Sequence, residues 1–302
     1  MLARLPTYWA DARAHPGWTL MFLFGRFLLA RRLSAAFVPR GEWSAAAAAD
    51  GAGAEALSDA SASSVADTVR RHGICAGLRL PAATVAEIRA FADNTTCYAS
   101  MDRRMPFLPG EHAEAERRYG RTILVGHFLE AVLDCPAAAE VARNRWLHAV
   151  AAEYLGAAPK IIATRLWWSF PAAAASQTDL SLASQDSFHF DLDDWKQIKF
   201  FFYLTDVDER TGPHIYARGS HARRPLSHQF TLFVGKPDTA IIAAYGAEAL
   251  ETVTGPAGSG FVEDPFGFHT GSVVQRDRRL ILEISFGISG VLRRRRFGEM
   301  VR

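Results

Sequence analysis

"SFHFDLDDWKQIKFFFYLTDVDERTGPHIYARGSH", residues 187–221, decides how this chain is read. It opens with an alternation. On an extended backbone Phe188 and Phe190 point to one side, and His189 and Asp191 to the other. An imidazole and a carboxylate two residues apart then converge, and convergent nitrogen and oxygen donors are what a divalent metal takes. The run QIKFFFYL (197–204) is rich in β-favouring side chains. Asp193, Asp194, Asp206 and Asp208 read as turn residues, and Gly212–Pro213 closes the turn.

The same texture fills the C-terminal half. KIIATRLWWSF (160–170), HIYAR (214–218), AIIAAYG (240–246), SGFVED (259–264) and RLILEISFG (279–287) are short apolar segments bounded by turn residues. Such a series predicts an antiparallel sandwich or barrel rather than a βαβ sheet. Upstream, residues 65–156 read as mainly helical, with one strand at ICAGLRL (74–80). Val85, Ile88 and Phe91 share a helix face, and CPAAAEVARNRWLHAVAAEYLG (135–156) carries an early proline and a glycine stop. The expected fold is α+β: an all-β, jelly-roll-like core with N-terminal helical support. Residues 1–64 form a helical extension ending in an Ala/Ser-rich linker (44–64), and residues 65–302 form the main domain. That domain comprises a helical part (65–156), a β part (157–290) and a basic, solvated tail (291–302).

Composition limits the partners. The chain has 302 residues, a net charge of +2, and 34 basic against 32 acidic residues, interspersed. That balance gives no reason for a nucleic-acid partner. Cys75, Cys97 and Cys135 are odd in number and form no CxxC pair, which argues against a disulfide framework or a structural zinc site and fits a reducing cytoplasm. The apolar run 18–30 is interrupted by Arg26 and is shorter than the about 20 residues a spanning helix needs. Arg31 and Arg32 follow it, the reverse of a signal peptide. No transmembrane segment is expected. Residues 16–37 read as helix packed on the main domain, with contact to a membrane surface or partner as the minor alternative.

Two ligands hold a metal poorly, and the third is sought among His214, His221, His228 and His269. Two histidines and a carboxylate fill one face of an octahedron and leave three positions open, the arrangement of non-heme Fe(II) oxygenases. Their usual co-substrate, 2-oxoglutarate, carries a second carboxylate that suits a guanidinium. Arg276, Arg278 and Arg279 follow His269. Arg279 shares its strand face with Ile281, Glu283 and Ser285, whereas Arg278 shares the wholly apolar face, so Arg279 is preferred and Arg278 is the alternative.

His189–Asp191, FFFYLTDVD (200–208), RTGP (210–213), RGSH (218–221), the late His269 and Arg279 together resemble the phytanoyl-CoA dioxygenase family of Fe(II)/2-oxoglutarate-dependent oxygenases. GICAGLRLPAATVAEIRAFADN (73–94) resembles the family's N-terminal strand and helix. The resemblance implies a double-stranded β-helix of the cupin-like, jelly-roll type. It implies Fe(II) on His189, Asp191 and His269, and 2-oxoglutarate on Arg279. Lys199, Tyr203 and Ser272 are further candidates near the co-substrate. With O2 and a small organic substrate, the implied reaction is hydroxylation of an unactivated C–H bond with release of succinate and CO2. Asp191 is a carboxylate, so a halogenating variant is not expected. The alternative is a cupin-like metal-binding protein or redox-neutral metalloenzyme, which has no use for the arginine.

Overall fold

The run Gln197–Tyr203 is buried at every residue, which explains why its sequence shows no polar alternation. Ile198, Phe200 and Phe202 join the helix-backed core, while Phe201 and Tyr203 line a second, inner cluster. The computed structural model describes residues 16–37, 56–171, 180, 187–230 and 235–288. The tail 291–302 and the first part of the Ala/Ser-rich stretch lie outside them.

The strands are β1 (Ile74–Arg79), β2 (Cys97–Ala99), β3 (Pro106–Phe107), β4 (Val125–His127), β5 (Lys160–Ser169), β6 (Gln197–Tyr203), β7 (His214–Ala217), β8 (Leu250–Val253), β9 (Ser259–Glu263), β10 (His269–Gly271) and β11 (Arg279–Gly287). Among the described residues they form an eight-stranded sheet, β1-β9-β6-β11-β5-β4-β2-β3, and a three-stranded sheet, β10-β7-β8. All the pairings are antiparallel. The bridges Phe188–Lys236 and His189–His269 extend the smaller sheet. Two antiparallel sheets exchanging strands in this way make the expected jelly roll, with helices behind the larger sheet.

Several expectations need correction. The stretch read as mainly helical also supplies β2, β3 and β4, which extend the larger sheet beyond β5. A helix runs Ala62–His72 across residue 64, with the Ser61 hydroxyl capping the Ser64 N–H and Gly73 closing it at φ +88°. The stretch 135–156 is two helices, Pro136–Arg143 and Arg145–Leu155. Asn144 breaks it by accepting the N–H groups of Trp146 (2.9 Å) and Leu147 (3.2 Å), starting a new helix within an unbroken apolar pattern. AIIAAYG, read as a strand, lies in the helix Asp238–Tyr245. Pro237 before it, Asp238 in its first turn and Gly246 after it are helix punctuation that outweighs the β preference of two isoleucines.

The side of β11 that carries Leu280, Leu282, Ile284 and Phe286 is core against the helices. Arg278 lies at that side too, with its guanidinium 4.3 Å from the Trp168 ring and 2.8 Å from Asp93. The opposite side of β11 looks into the jelly roll. Replacing Asn144 with Ala should lower unfolding stability by about 1 kcal/mol in chemical denaturation, because two helix N–H groups lose their acceptor.

Candidate metal centre

The mouth of the jelly roll is set by backbone pairing between two segments far apart in sequence. The His189 N–H donates to His269 O at 2.9 Å, and the His269 N–H to His189 O at 2.8 Å. Asp191 is fixed by its own N–H on Pro265 O, 2.8 Å. Phe188 and Phe190 turn the other way, into a cluster with Phe266, Phe268 and Ile241. The alternation in the sequence therefore holds although this segment is paired only through bridges. One donor atom from each of His189, Asp191 and His269 lies within 4.8 Å of the others.

The protonation pattern suits metal ligation. The His269 Nδ1 faces Gly267 O at 3.0 Å, and the His189 Nδ1 faces Ser187 O at 3.5 Å. A carbonyl only accepts, so Nδ1 carries the proton and Nε2 keeps its lone pair. Burial lowers both imidazoles, His269 to about 4, so both are neutral at pH 7. Burial alone would raise Asp191, but the Lys199 ammonium, then His269 and His189, outweigh it and hold the carboxyl well below the usual range. Two neutral nitrogens and one carboxylate are a fitting donor set for a divalent transition metal.

Lys199 sits against that carboxylate. Its Nζ lies 2.6 Å from Asp191 Oδ2, 3.3 Å from Asp193 Oδ2 and 3.5 Å from Glu283 Oε1. Burial disfavours the ammonium, and these three carboxylates more than offset that. Glu283 in turn accepts from Arg165 (2.9 Å) and from the Ser285 hydroxyl (2.6 Å). Asp193 thus has a partner beyond its turn. Asp208 is the turn residue expected, accepting the N–H groups of Arg210 and Thr211.

Arg279 enters the interior from the first residue of β11. It is nearly fully buried, and its Nη2 donates to Ser169 Oγ at 3.2 Å. Its Nε and Nη1 find no acceptor among the described residues. A buried guanidinium with spare donors calls for an anion. Gly212 of the RTGP turn stands beside it: at φ +78°, a Cβ here would come 2.7 Å from Val274 and 3.5 Å from Arg279 Nη1. Tyr203 spends its hydroxyl in the wall, donating to Val253 O (2.9 Å) and accepting the His214 N–H (3.0 Å). Ser272 is half-buried, and its N–H donates to Pro213 O at 2.9 Å.

His214 and Glu263 escaped the sequence reading as a pair. His214 is buried, with its ring 5.5 Å from that of His269 and its Nε2 2.7 Å from Glu263 Oε2. Burial, with the Arg279 charge second, lowers His214 to about 3, so the ring is neutral beside Glu263. Burial pushes Glu263 up to about 7, despite His269 and Lys199. The sequence signal was that Glu263 stands two residues from Phe261 on β9 and so shares its face. His221 is buried elsewhere, its ring on Arg70 O, and His228 packs edge-on against Phe268. Trp168 is core, whereas Trp167 faces inward with its ring 6.1 Å from His127.

No protein-family model matches this sequence, and no curated protein matches it. Solved structures do. The chain is similar to SnoN, a non-heme, α-ketoglutarate-dependent epimerase from nogalamycin biosynthesis, at 16% identity over 74% of this chain and 82% of that one, TM-score 0.50. SnoN in complex with Fe3+, α-ketoglutarate and nogalamycin RO aligns at 15% identity with the same coverage, TM-score 0.52. EvdO2 from Micromonospora carbonacea var. aurantiaca aligns at 14% identity over 74% of this chain and 89% of that one, TM-score 0.50. At these identities the likeness establishes the fold alone, a cupin-like jelly roll.

A raised acid binds its proton more tightly in the folded state, so Glu263 costs stability as pH rises from about 4.5 to about 7. In chelator-treated protein, Glu263→Gln should therefore gain on the wild type across that window, by up to about 3 kcal/mol. Denaturant melts at several pH values measure it, and a pH-independent difference refutes the assignment.

Proposed function

We propose that this protein is an Fe(II)- and 2-oxoglutarate-dependent oxygenase of the phytanoyl-CoA dioxygenase type, acting on a small organic molecule. The single observation behind the reading is the pairing of two features inside one jelly roll: the His189–Asp191–His269 cluster, and a buried arginine with spare donors. A redox-neutral metal protein has no use for the second. Arg278 is the weaker candidate for that role, since Asp93 and Trp168 occupy it on the other side of the sheet.

His189, Asp191 and His269 would hold Fe(II), and Arg279 would take the far carboxylate of 2-oxoglutarate. Bound there, iron and 2-oxoglutarate supply the oxidising chemistry, with O2 consumed and succinate and CO2 released as a substrate C–H bond is oxidised. The chain's own contribution is geometry and charge. Gly267 O and Ser187 O keep the Nε2 lone pairs of the two histidines available. Lys199 holds Asp191 ionised and oriented, and Glu283, backed by Arg165, holds Lys199. Ser169 aims the Arg279 guanidinium, Tyr203 walls that end, and Ser272 stands near it. Phe201, Phe261 and Ile281 exclude water, which strengthens every charged contact inside. Hydroxylation is the proposed outcome.

The test is succinate formation with Fe(II), ascorbate, O2 and 2-oxoglutarate. Asp191→Ala and His269→Ala should abolish turnover and Fe(II) binding. Arg279→Met should weaken 2-oxoglutarate by on the order of a hundredfold while keeping Fe(II), as expected when one member of a buried charge pair is removed. Metal binding without 2-oxoglutarate turnover would refute the oxygenase reading. Once a substrate is found, a product carrying one added oxygen supports hydroxylation, and a product of unchanged composition replaces it with stereochemical inversion.

A further inference from the structure

Among the described residues the large, exposed apolar side chains gather in residues 20–33 and 226–242. These two segments touch. The Leu28 N–H donates to Gln229 Oε1 at 3.0 Å, and the Phe27 and Phe230 rings meet edge-on at 5.1 Å. The helix Leu28–Phe37 also docks on the jelly roll through Leu28, packed against the cluster of Phe188, Phe266 and Phe268, and through Arg31, which lies 4.0 Å from the Phe266 ring; Met21 of the helix Pro16–Phe24 is buried.

What these helices turn outward is the reverse of an ordinary surface helix. Leu20, Leu23 and Phe24 fall at i, i+3 and i+4 and are 47–55% exposed. Leu29 and Leu33 fall at i and i+4, 69% and 53% exposed, with exposed Arg32 between them. Leu226 and Phe230 continue the patch at 69% and 70%. Single exposed leucines are ordinary, but a clustered apolar surface marks an interaction site.

Charge identifies the partner. Residues 16–37 and 223–230 contain no aspartate or glutamate, and Arg32 and Arg223 are exposed; the one exposed acid of the adjoining stretch up to residue 242 is Asp238, at the start of the next helix. A second copy of the chain packed on this face would bring like charges together. An anionic bilayer surface satisfies both features: the leucines and phenylalanines enter the headgroup boundary while the arginines meet lipid phosphates. Among the described residues no helix is long and apolar enough to cross a membrane.

We propose that the face formed by residues 20–33 and 226–230 is a docking surface for anionic phospholipid membranes. The full chain should co-sediment with vesicles of phosphatidylcholine containing phosphatidylglycerol, about tenfold better than with phosphatidylcholine alone, and salt should weaken the binding. Leu23→Glu/Leu33→Glu should abolish binding, and Arg32→Glu should weaken it about tenfold. These positions are exposed, so the variants should keep the wild-type circular dichroism spectrum and Fe(II) affinity. Absence of binding to both vesicle types, equal binding to both, or unchanged binding by the variants overturns the proposal. A wild-type dimer that becomes monomeric in the double variant, seen by light scattering, overturns it in favour of a second copy as the occupant.

Discussion

The reciprocal backbone pair between His189 and His269 is the constraint on which the rest of the site depends. It joins residues 80 positions apart in an antiparallel bridge, and an antiparallel bridge fixes which way both side chains point. The two imidazoles come to 4.5 Å between ring centroids, and Asp191, two residues along, joins them. Closing so long a loop costs entropy that a local motif would not. The return is a rigid frame: the donors sit on paired backbone, not on a free loop.

Around that frame the interior is organised by charge more than by shape. Asp191, Asp193 and Glu283 crowd one ammonium, and Lys199 satisfies all three within 3.5 Å. Strand register explains the arrangement. Lys199 on β6 stands opposite Ser285 on β11 and Glu263 on β9, so their side chains share one face of the sheet. Glu283 stands opposite Arg165 on β5 by the same rule. Buried charges need partners: the larger sheet supplies Glu283 and Arg165 across its strands, and the segment after His189 supplies Asp191 and Asp193. Arg279, at the end of β11, keeps donors to spare.

The outer surface follows a different logic. The helices behind the larger sheet bury their apolar stripes, as the Val65, Ala66 and Val69 side of the helix Ala62–His72 shows. The N-terminal pair buries Met21 and Arg31 and presents leucines outward. Its sequence is apolar on both sides, so periodicity alone does not separate the docked side from the exposed one.

The sequence by itself determined the elements whose signals are local. The alternation at 187–191 placed His189 and Asp191 together, turn residues bounded β6, β9 and β11, and face-sharing along β11 separated Arg279 from Arg278. Its local errors came from competing local signals: Asn144 hid a helix break inside an apolar pattern, and Pro237 and Gly246 made a helix of a segment rich in isoleucine and alanine. Only the tertiary structure decided the rest. Four histidines were open as a third partner, and the bridge to His189 brings in His269. The roles of Lys199, Glu283 and the His214–Glu263 pair depend on cross-strand register, and register depends on which strands become neighbours. A strand's neighbours are set by how the whole chain buries its apolar faces, a balance that no single segment carries.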